Sequence, residues 1–113
     1  MKISIITPTW NRCDSLSRMI QSVEVQALRP FEHLVIDNLS TDGTASVVSA
    51  YAARAPYSVI HMRNGDKGIY DAMNQGAAIA QGDALYFLND DDSLFRPNSL
   101  ALLSAALKLA PGG

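Results

Sequence analysis

Four short apolar runs divide the chain, and each is followed by a longer segment in which apolar residues recur at helical spacing. Runs of this length, bounded by polar and turn residues, are typical of β-strands. The predicted strands are Ile3–Thr7, His33–Asp37, Tyr57–Met62 and Ala84–Leu88. The fourth run is continuously apolar and contains two aromatic residues, so the pattern predicts a strand that is buried on both faces.

The segments after the runs carry apolar residues at i, i+3, i+4 and i+7, which predicts amphipathic helices. The first helix is predicted to have Asp14 or Ser15 as its N-cap, and the second to start near Asp42-Gly43-Thr44 and end before Pro56. The third is predicted to run from about Ile69 to Ala80, and the last to start at Pro97-Asn98-Ser99. The residues predicted to face the core are Leu16, Met19, Ile20 and Val23, then Val48, Tyr51, Ala52 and Ala55, then Met73, Gly76, Ala77 and Ala80, then Leu100, Leu103, Leu107 and Ala110. Gly76 has no side chain, so the third helix is expected to lie close to the sheet.

Strands that alternate with helices predict an α/β fold with a Rossmann-like parallel sheet, right-handed crossovers and helices on both faces. We expect residues 1–113 to form a single domain with strand order 3-2-1-4. Ligands of such sheets bind outside the carboxyl ends of the strands, where the strand order reverses. In that order the loops after the first and fourth strands flank one crevice, and Trp10 faces the aspartates of the fourth loop.

Composition narrows the class of protein. Apolar residues make up 48% of the chain, charged residues 18%, and the net charge is −2, which is usual for a globular domain and gives no general affinity for nucleic acid. The single cysteine, Cys13, excludes an internal disulfide and a cysteine-based zinc site. His33 and His61 lack metal-ligand spacing and are expected to be structural. No apolar run is long enough for a signal peptide or a membrane span, so we expect an intracellular protein.

Three consecutive carboxylates, Asp90, Asp91 and Asp92, follow the fourth strand. Carboxylates this close repel one another, and desolvating them costs free energy unless a cation lies among them. Mg²⁺ is commonly held by one or two carboxylates, with water and substrate phosphates completing its shell. The pattern therefore suits a divalent metal site, although an acidic turn in solvent is the alternative for these three residues.

The other loops at the same predicted rim offer groups that suit a nucleotide. Asp37 ends the second strand, where its carboxylate could accept a hydrogen bond from a base or serve as a turn carboxylate. Trp10 could stack on a base or be a partly buried packing residue. Three cations could meet a diphosphate or be merely solvated, namely Arg12, Arg63 and Lys67.

Four stretches in this order resemble the N-terminal nucleotide-sugar-binding half of family 2 glycosyltransferases. They are ISIITPTWNR, LVIDNLSTDGT, GDKGIYDAMNQGAAIAQGD and LYFLNDDD, and the resemblance extends from Ile3 to about Leu94. It implies the A-type glycosyltransferase fold, also called the nucleotide-diphospho-sugar transferase type, in a truncated form. Each motif alone is weak, but four in order at fitting spacing make a specific signal.

The resemblance also implies roles for individual residues. Asp37 would bind the base, usually uracil, and Trp10 would stack near it, where the family more often has tyrosine or phenylalanine. Asp92 would be the ligand of a Mn²⁺ or Mg²⁺ ion and Asp91 the ribose contact, whereas Asp90 stands where the family often has serine. The remaining positions implied in the nucleotide-sugar pocket are Pro8, Thr9, Arg12, Asp66, Lys67 and Asp71.

The implied reaction is metal-dependent, inverting transfer of a sugar from a nucleoside diphosphate sugar, most often a UDP-sugar, to an acceptor hydroxyl. Such acceptors include sugars and lipid-linked glycans in polysaccharide biosynthesis, so we expect a cytoplasmic protein that could act at the inner face of the membrane. The catalytic base of the family lies downstream of the aspartate loop, and this sequence has no carboxylate after Asp92. No residue of the chain can therefore be assigned as the base.

Two alternatives stay open. The chain could be a non-catalytic module that binds a nucleotide sugar or serves in assembly, or an unrelated doubly wound protein with an acidic pocket. A phosphoryl-accepting receiver domain would want paired carboxylates after the first strand, where this chain has Thr-Pro-Thr-Trp-Asn. In strand order 3-2-1-4 the run 84–88 lies at a sheet edge, and exposed apolar edges invite pairing. We therefore expect self-association or a partner that completes the sheet.

Overall fold

The computed structural model describes residues 1–92 and 100–101. Strands and helices alternate along the chain, as the hydrophobic pattern predicts. The elements are β1 (Ile3–Thr9), α1 (Cys13–Glu24), β2 (Glu32–Asp37), α2 (Thr44–Arg54), β3 (Ser58–Arg63), α3 (Ile69–Ile79) and β4 (Ala84–Phe87). The predicted helix start at Pro97-Asn98-Ser99, and the core positions Leu103, Leu107 and Ala110, lie outside the described residues.

The four strands form one parallel sheet in the order β3-β2-β1-β4, which confirms the predicted topology. β1 continues two residues beyond its predicted end, because Pro8 and Thr9 still pair with Ile36 and Asp37 of β2. β4 pairs with β1 only as far as Ile6, so the missing N–H of Pro8 removes no hydrogen bond from the ladder on that side.

Apolar side chains cover both faces of the sheet. On one face, buried residues of α1 and α2 pack on Ile3, Ile5 and Val35, and buried Leu100 joins this cluster. On the other face, Ala72 of α3 packs with Ile6 and its neighbours on β2. The helices therefore lie on both faces, as predicted, and the sheet is held between two apolar layers.

Several positions differ from the sequence prediction. α1 begins at Cys13, so neither Asp14 nor Ser15 is its N-cap. Ala52 is exposed because the inner face of α2 runs through Thr44, Val48 and Tyr51. In α3 the two fully buried positions are Ala72, which the pattern missed, and Gly76.

Among the described residues, β4 lies at the edge of the sheet. The prediction that this strand is buried on both faces is wrong. Leu85 is 42% exposed and Phe87 44% exposed, whereas Tyr86 between them packs against the core. The continuous apolar run predicted strand formation correctly but not the environment, because nothing described pairs with or covers the outer side of this strand.

A chain of buried hydrogen bonds crosses the core and accounts for His33. Its ring nitrogens lie 2.8 Å from the hydroxyl oxygen of Thr7 and 2.8 Å from that of Tyr51, which in turn lies 2.7 Å from the Tyr57 hydroxyl. Burial lowers the pKa of His33 to about 3, so the ring is neutral at physiological pH. His33 is thus a satisfied core residue, in agreement with its predicted structural role.

The close approach of α3 to the sheet generates a stability prediction. A Cβ atom added at Gly76 would lie 2.5 Å from Cγ2 of Ile6, which is inside van der Waals contact. We expect Gly76→Ala to lower the free energy of unfolding by ~1–3 kcal/mol in urea titrations, because overpacking outweighs the gain in helix propensity. Asn74→Ala, at an exposed position of the same helix, should be neutral or stabilising. A Gly76→Ala variant as stable as the parent would contradict this packing.

The exposed edge generates a second prediction, which concerns association. At high concentration, light scattering after size exclusion should give a mass above the 12.2 kDa of one chain. Phe87→Lys should shift the mass toward the monomer, because a lysine on an edge strand opposes pairing. Tyr70→Lys is the matched control, since Tyr70 is 80% exposed but lies on α3. A monodisperse monomer for the parent at high concentration would refute association through β4.

Candidate functional site

The carboxyl ends of the strands border a cleft of about 330 Å³. The loops after all four strands and the first turn of α3 form its walls, which places it at the switch point of the sheet. Its lining residues are Pro8, Thr9, Trp10, Arg12, Asn38, Asp66, Gly68, Ile69, Ala72, Asn89, Asp90 and Asp91.

Most of the residues expected at the nucleotide-sugar pocket line this cleft. The expected residues that line it are Pro8, Thr9, Trp10, Arg12, Asp66, Asp90 and Asp91, and those that do not are Asp37, Lys67, Asp71 and Asp92. The lining residues that sequence reasoning missed are Asn38, Gly68, Ile69, Ala72 and Asn89. Asn38 follows Asp37 and Asn89 precedes Asp90, so both amides lie in the motifs that end the second and fourth strands. Their place in these two motifs was the signal in the sequence that could have identified them.

Trp10, the chain's single tryptophan, is 60% exposed at the cleft. An indole with this much free surface is not a core packing residue, although a partly buried packing role was the alternative from sequence. Its ring is therefore accessible for stacking on a planar ligand.

The three aspartates after β4 have three different environments. Asp90 is 8% exposed and accepts a hydrogen bond from the Thr9 hydroxyl at 2.9 Å. Burial raises the pKa of Asp90 despite this donor. This carboxylate ties the loop after β4 to β1, which makes it a structural support at the base of the cleft.

Asp91 and Asp92 remain accessible. Asp91 lies 3.5 Å from the guanidinium of Arg12, and both side chains are more than half exposed, so this ion pair is weak and can exchange for another partner. Asp92 is exposed, and its backbone N–H donates to the carbonyl oxygen of Asn89 across a tight turn.

These carboxylates bear on the expected metal. No group of three His, Cys, Asp or Glu side chains in residues 1–92 and 100–101 could hold a metal ion. The donor set nevertheless fits a hard cation that takes only one or two carboxylates and completes its shell with phosphate oxygens and water. Asp91 and Asp92 are the exposed candidates for that arrangement.

Asp37 is fully buried and does not line the cleft. One carboxylate oxygen accepts the N–H and the hydroxyl of Ser40, and the other lies 2.9 Å from the imidazole of His61 and 3.5 Å from the guanidinium of Arg63. Burial alone would raise its pKa, but the hydrogen bonds from Ser40 and His61 hold the pKa of Asp37 below its usual range. This geometry matches the turn carboxylate that was the alternative to a base contact.

The neighbouring Asn38 does face the cleft. Its side-chain oxygen accepts the backbone N–H of Asp66 at 3.1 Å. The amide nitrogen is therefore the end of the side chain that is turned away from the loop that carries Asp66. Asn89 contributes a second amide, whose buried oxygen has no hydrogen-bond partner in the described structure. Buried acceptors without partners are rare in proteins, so this oxygen is suited to accept a donor from a ligand.

The segment before α3 is fixed by its own carboxylates. One oxygen of Asp66 accepts the N–H of Gly68 at 3.0 Å, and one of Asp71 accepts the N–H of Lys67 at 3.0 Å. Gly68 has φ of 119°, a conformation that favours glycine. Asp71 therefore holds the turn in place, outside the lining of the cleft.

The environment of Asp37 generates a prediction for pH dependence. A carboxyl whose pKa is lowered on folding stabilises the native state above its unfolded pKa of about 3.9, and this contribution is lost as the pH falls through the lower, folded pKa. We expect Asp37→Asn to lower the free energy of unfolding by ~1–3 kcal/mol at pH 7 and by less at pH 3, measured by urea titration. Asp83→Asn, at an exposed residue of the opposite rim, is the control. An equal loss at both pH values would contradict this role of Asp37.

Similar proteins share both the sequence and the fold. The chain is 38% identical over 102 residues to a PGL/p-HBAD biosynthesis glycosyltransferase of Mycobacterium bovis, an alignment that covers 90% of this chain and 40% of that relative. It therefore spans about two fifths of the length of that relative.

Solved structures are also similar to this chain. The chain superposes on TarS from S. aureus in complex with UDP-GlcNAc with a TM-score of 0.76 and 28% identity, over 95% of this chain and 30% of that one. A mannosyltransferase from Pyrobaculum calidifontis in complex with GDP-Man and Mn²⁺ gives a TM-score of 0.77 at 24% identity, over 88% and 30% of the two chains, and this likeness shows the fold alone.

The family model for glycosyl transferase family 2 matches residues 4–109, nearly the whole chain. The cleft, the strand order and this match agree with the order of the four motifs in the sequence. The chain belongs to glycosyl transferase family 2.

Proposed function

We propose that the chain binds a nucleoside diphosphate sugar in this cleft and forms the donor half of a metal-dependent, inverting glycosyltransferase. The observation that carries the proposal is the convergence of an accessible indole, two amides, a guanidinium and the exposed carboxylate of Asp91 on one cleft of about 330 Å³. A planar base can stack on the indole, a diphosphate can be neutralised by the guanidinium and by a cation at the carboxylate, and sugar hydroxyls can hydrogen-bond with the amides. Complexes of TarS with UDP-GlcNAc and UDP support a uridine nucleotide.

Base recognition falls to Trp10 and Asn38 in this proposal. The base stacks on the exposed indole, and the Asn38 amide donates N–H groups to a carbonyl oxygen of the base, because its own oxygen already accepts from Asp66. Asp37 then acts indirectly, by holding the turn that carries Asn38. Uracil has two carbonyl oxygens and fits a site that presents donors.

Diphosphate and metal binding fall to the exposed charges. Arg12 leaves its weak pair with Asp91 and donates to phosphate oxygens, while Asp92, assisted by Asp91, is the proposed carboxylate ligand of Mn²⁺ or Mg²⁺. A divalent ion in this position neutralises the charge that develops on the leaving diphosphate. The complex of the Pyrobaculum protein with Mn²⁺ supports a divalent metal in this fold.

The sugar and ribose hydroxyls face Asn89. Its unpaired buried oxygen gains a hydrogen-bond donor when a hydroxyl enters the cleft, which relieves the cost of leaving it unsatisfied. Asp90 keeps its hydrogen bond from the Thr9 hydroxyl, so it holds the wall of the cleft in place.

Transfer itself needs a base that deprotonates the acceptor hydroxyl, and no residue described at the cleft is assigned that role. Donor binding without transfer is the second candidate function, favoured because the chain spans only about two fifths of the length of its mycobacterial relative. The acceptor is proposed to be a glycan or a lipid-linked glycan at the cytoplasmic side of the membrane. No helix in the described part of the chain is long and apolar enough to span a bilayer.

The donor site predicts metal-dependent nucleotide binding. Calorimetric titration with UDP should show binding in Mn²⁺ that is lost in EDTA, and Asp92→Ala should weaken binding at least about tenfold, because a charged contact to the metal is removed. Asn38→Ala should weaken UDP binding both with and without metal, since it acts on the base.

The matched control is Asp83→Ala, which removes an exposed carboxylate at the opposite rim and should leave the affinity for UDP unchanged. Turnover of a UDP-sugar on addition of an acceptor would separate transfer from binding alone. If the parent chain binds neither UDP nor GDP with Mn²⁺ or Mg²⁺, the proposed donor site is wrong.

A further inference from the structure

We propose that Asn11 is a positioning residue for Trp10, which it holds ready at the cleft by bonding the loop after β1 to the loop after β2. The role rests on the proposed donor site for its purpose, but the rigidity of Trp10 can be measured without any ligand. Four sets of observations lead to it.

The first is backbone conformation. Asn11 and Leu39 are the two non-glycine residues with positive φ in the described chain, at 50° and 54°. They lie in the two loops that flank the cleft. Left-handed conformations are disfavoured for residues with a side chain, most of all for a bulky residue such as Leu39, and they persist where surrounding contacts fix them.

The second is the set of contacts that fix Asn11. Its backbone N–H donates to the hydroxyl oxygen of Ser40 at 2.9 Å, and its side-chain oxygen accepts the N–H of Thr41 at 2.8 Å. Asn11 thus bonds through backbone and side chain to two successive residues of the second loop. Asparagine is one of the few residues that tolerate positive φ and also carry an acceptor, so the residue type fits both demands.

The third is the continuation of these bonds into the core of the sheet. The Ser40 hydroxyl donates to the buried Asp37 carboxylate at 2.6 Å, and Asp37 is held in turn by His61 of β3. The loop that carries Trp10 is therefore anchored through Asn11 and Ser40 to a carboxylate that is fully buried.

The fourth is the weak hold on the indole itself. Trp10 is 60% exposed, and no ring contact or cation–π contact involves it within residues 1–92 and 100–101. Little burial orients the ring, so its direction depends on the backbone on either side. Thr9, before Trp10, donates its hydroxyl to Asp90 at 2.9 Å, and Asn11, after Trp10, is bonded to Ser40 and Thr41.

A Trp10 ring that is already held in its binding orientation loses less conformational entropy when a base stacks on it. Fixing Trp10 in advance therefore strengthens binding. Without the Asn11 side chain, the loop after β1 would keep the backbone bond to Ser40 and the Thr9–Asp90 bond, but it would lose the bond to Thr41. The indole would then sample more orientations, and each binding event would have to select the productive one.

The test compares Asn11→Gly, Asn11→Asp and the parent. Glycine accepts the positive φ but lacks the acceptor for Thr41, whereas aspartate keeps an acceptor oxygen at the same place. Since Trp10 is the chain's single tryptophan, its fluorescence anisotropy decay and acrylamide quenching report on this ring alone. We expect Asn11→Gly to make Trp10 more mobile and more readily quenched without ligand, and to weaken UDP binding by roughly fivefold to tenfold. Asn11→Asp should restore the rigidity of Trp10.

A stability control separates positioning from general loosening. Arg54→Gln breaks the Arg54–Glu24 ion pair at the far ends of α1 and α2, and it should alter the unfolding midpoint without changing Trp10 mobility. An unchanged Trp10 mobility in Asn11→Gly would overturn the proposal. If the parent binds no nucleotide but Asn11→Gly still frees Trp10, the proposed function fails while the positioning role stands.

Discussion

The buried Asp37 carboxylate is the contact on which the arrangement of the cleft depends. It lies at the end of β2, and its two oxygens accept hydrogen bonds from Ser40 in the next loop and from His61 on β3. A desolvated carboxylate is costly unless it is fully hydrogen-bonded, so the loop and the strand are both constrained to supply those donors. Through Ser40 and Asn11 the same constraint reaches the loop that carries Trp10. The cleft is thus defined by a group that is not part of its lining.

The acidic loop after β4 shows how three adjacent carboxylates can avoid mutual repulsion. Asp90 is buried and accepts a hydrogen bond from the Thr9 hydroxyl, Asp91 lies beside Arg12, and Asp92 is exposed to water. The charges are separated by environment, because burial raises the pKa of Asp90 whereas the other two remain exposed. An arrangement of this kind keeps two carboxylates available for a cation without requiring a preformed cage.

The hydrophobic pattern predicted the strands and helices well, and their alternation leaves few topologies for a parallel sheet, among them the observed order. It failed where tertiary context decides. The first strand was predicted to end at Thr7, but β1 continues through Pro8 because the partner strand on that side is shorter, and the apolar run at β4 could not reveal that its outer side is uncovered in the described structure. Motif resemblance indicated several residues that line the cleft, but not the amides of Asn38 and Asn89. Asp37 and Asn38 are adjacent in sequence, and only the direction of each side chain shows which one reaches the cleft.

The choice of amides at the cleft has a physical consequence for binding. Removing a carboxylate from water to contact a base costs more than removing an amide, and a further negative charge at the cleft would also oppose the approach of a diphosphate. Asn38 and Asn89 present polar atoms at lower cost, while Ile69 and Ala72 are the apolar residues of α3 that line the cleft. Charge is kept at the exposed mouth, where Arg12 and Asp91 form an ion pair in solvent. In the proposed donor site, affinity for the nucleotide would then come from stacking and amide contacts, and the charged groups would act mainly on the phosphates.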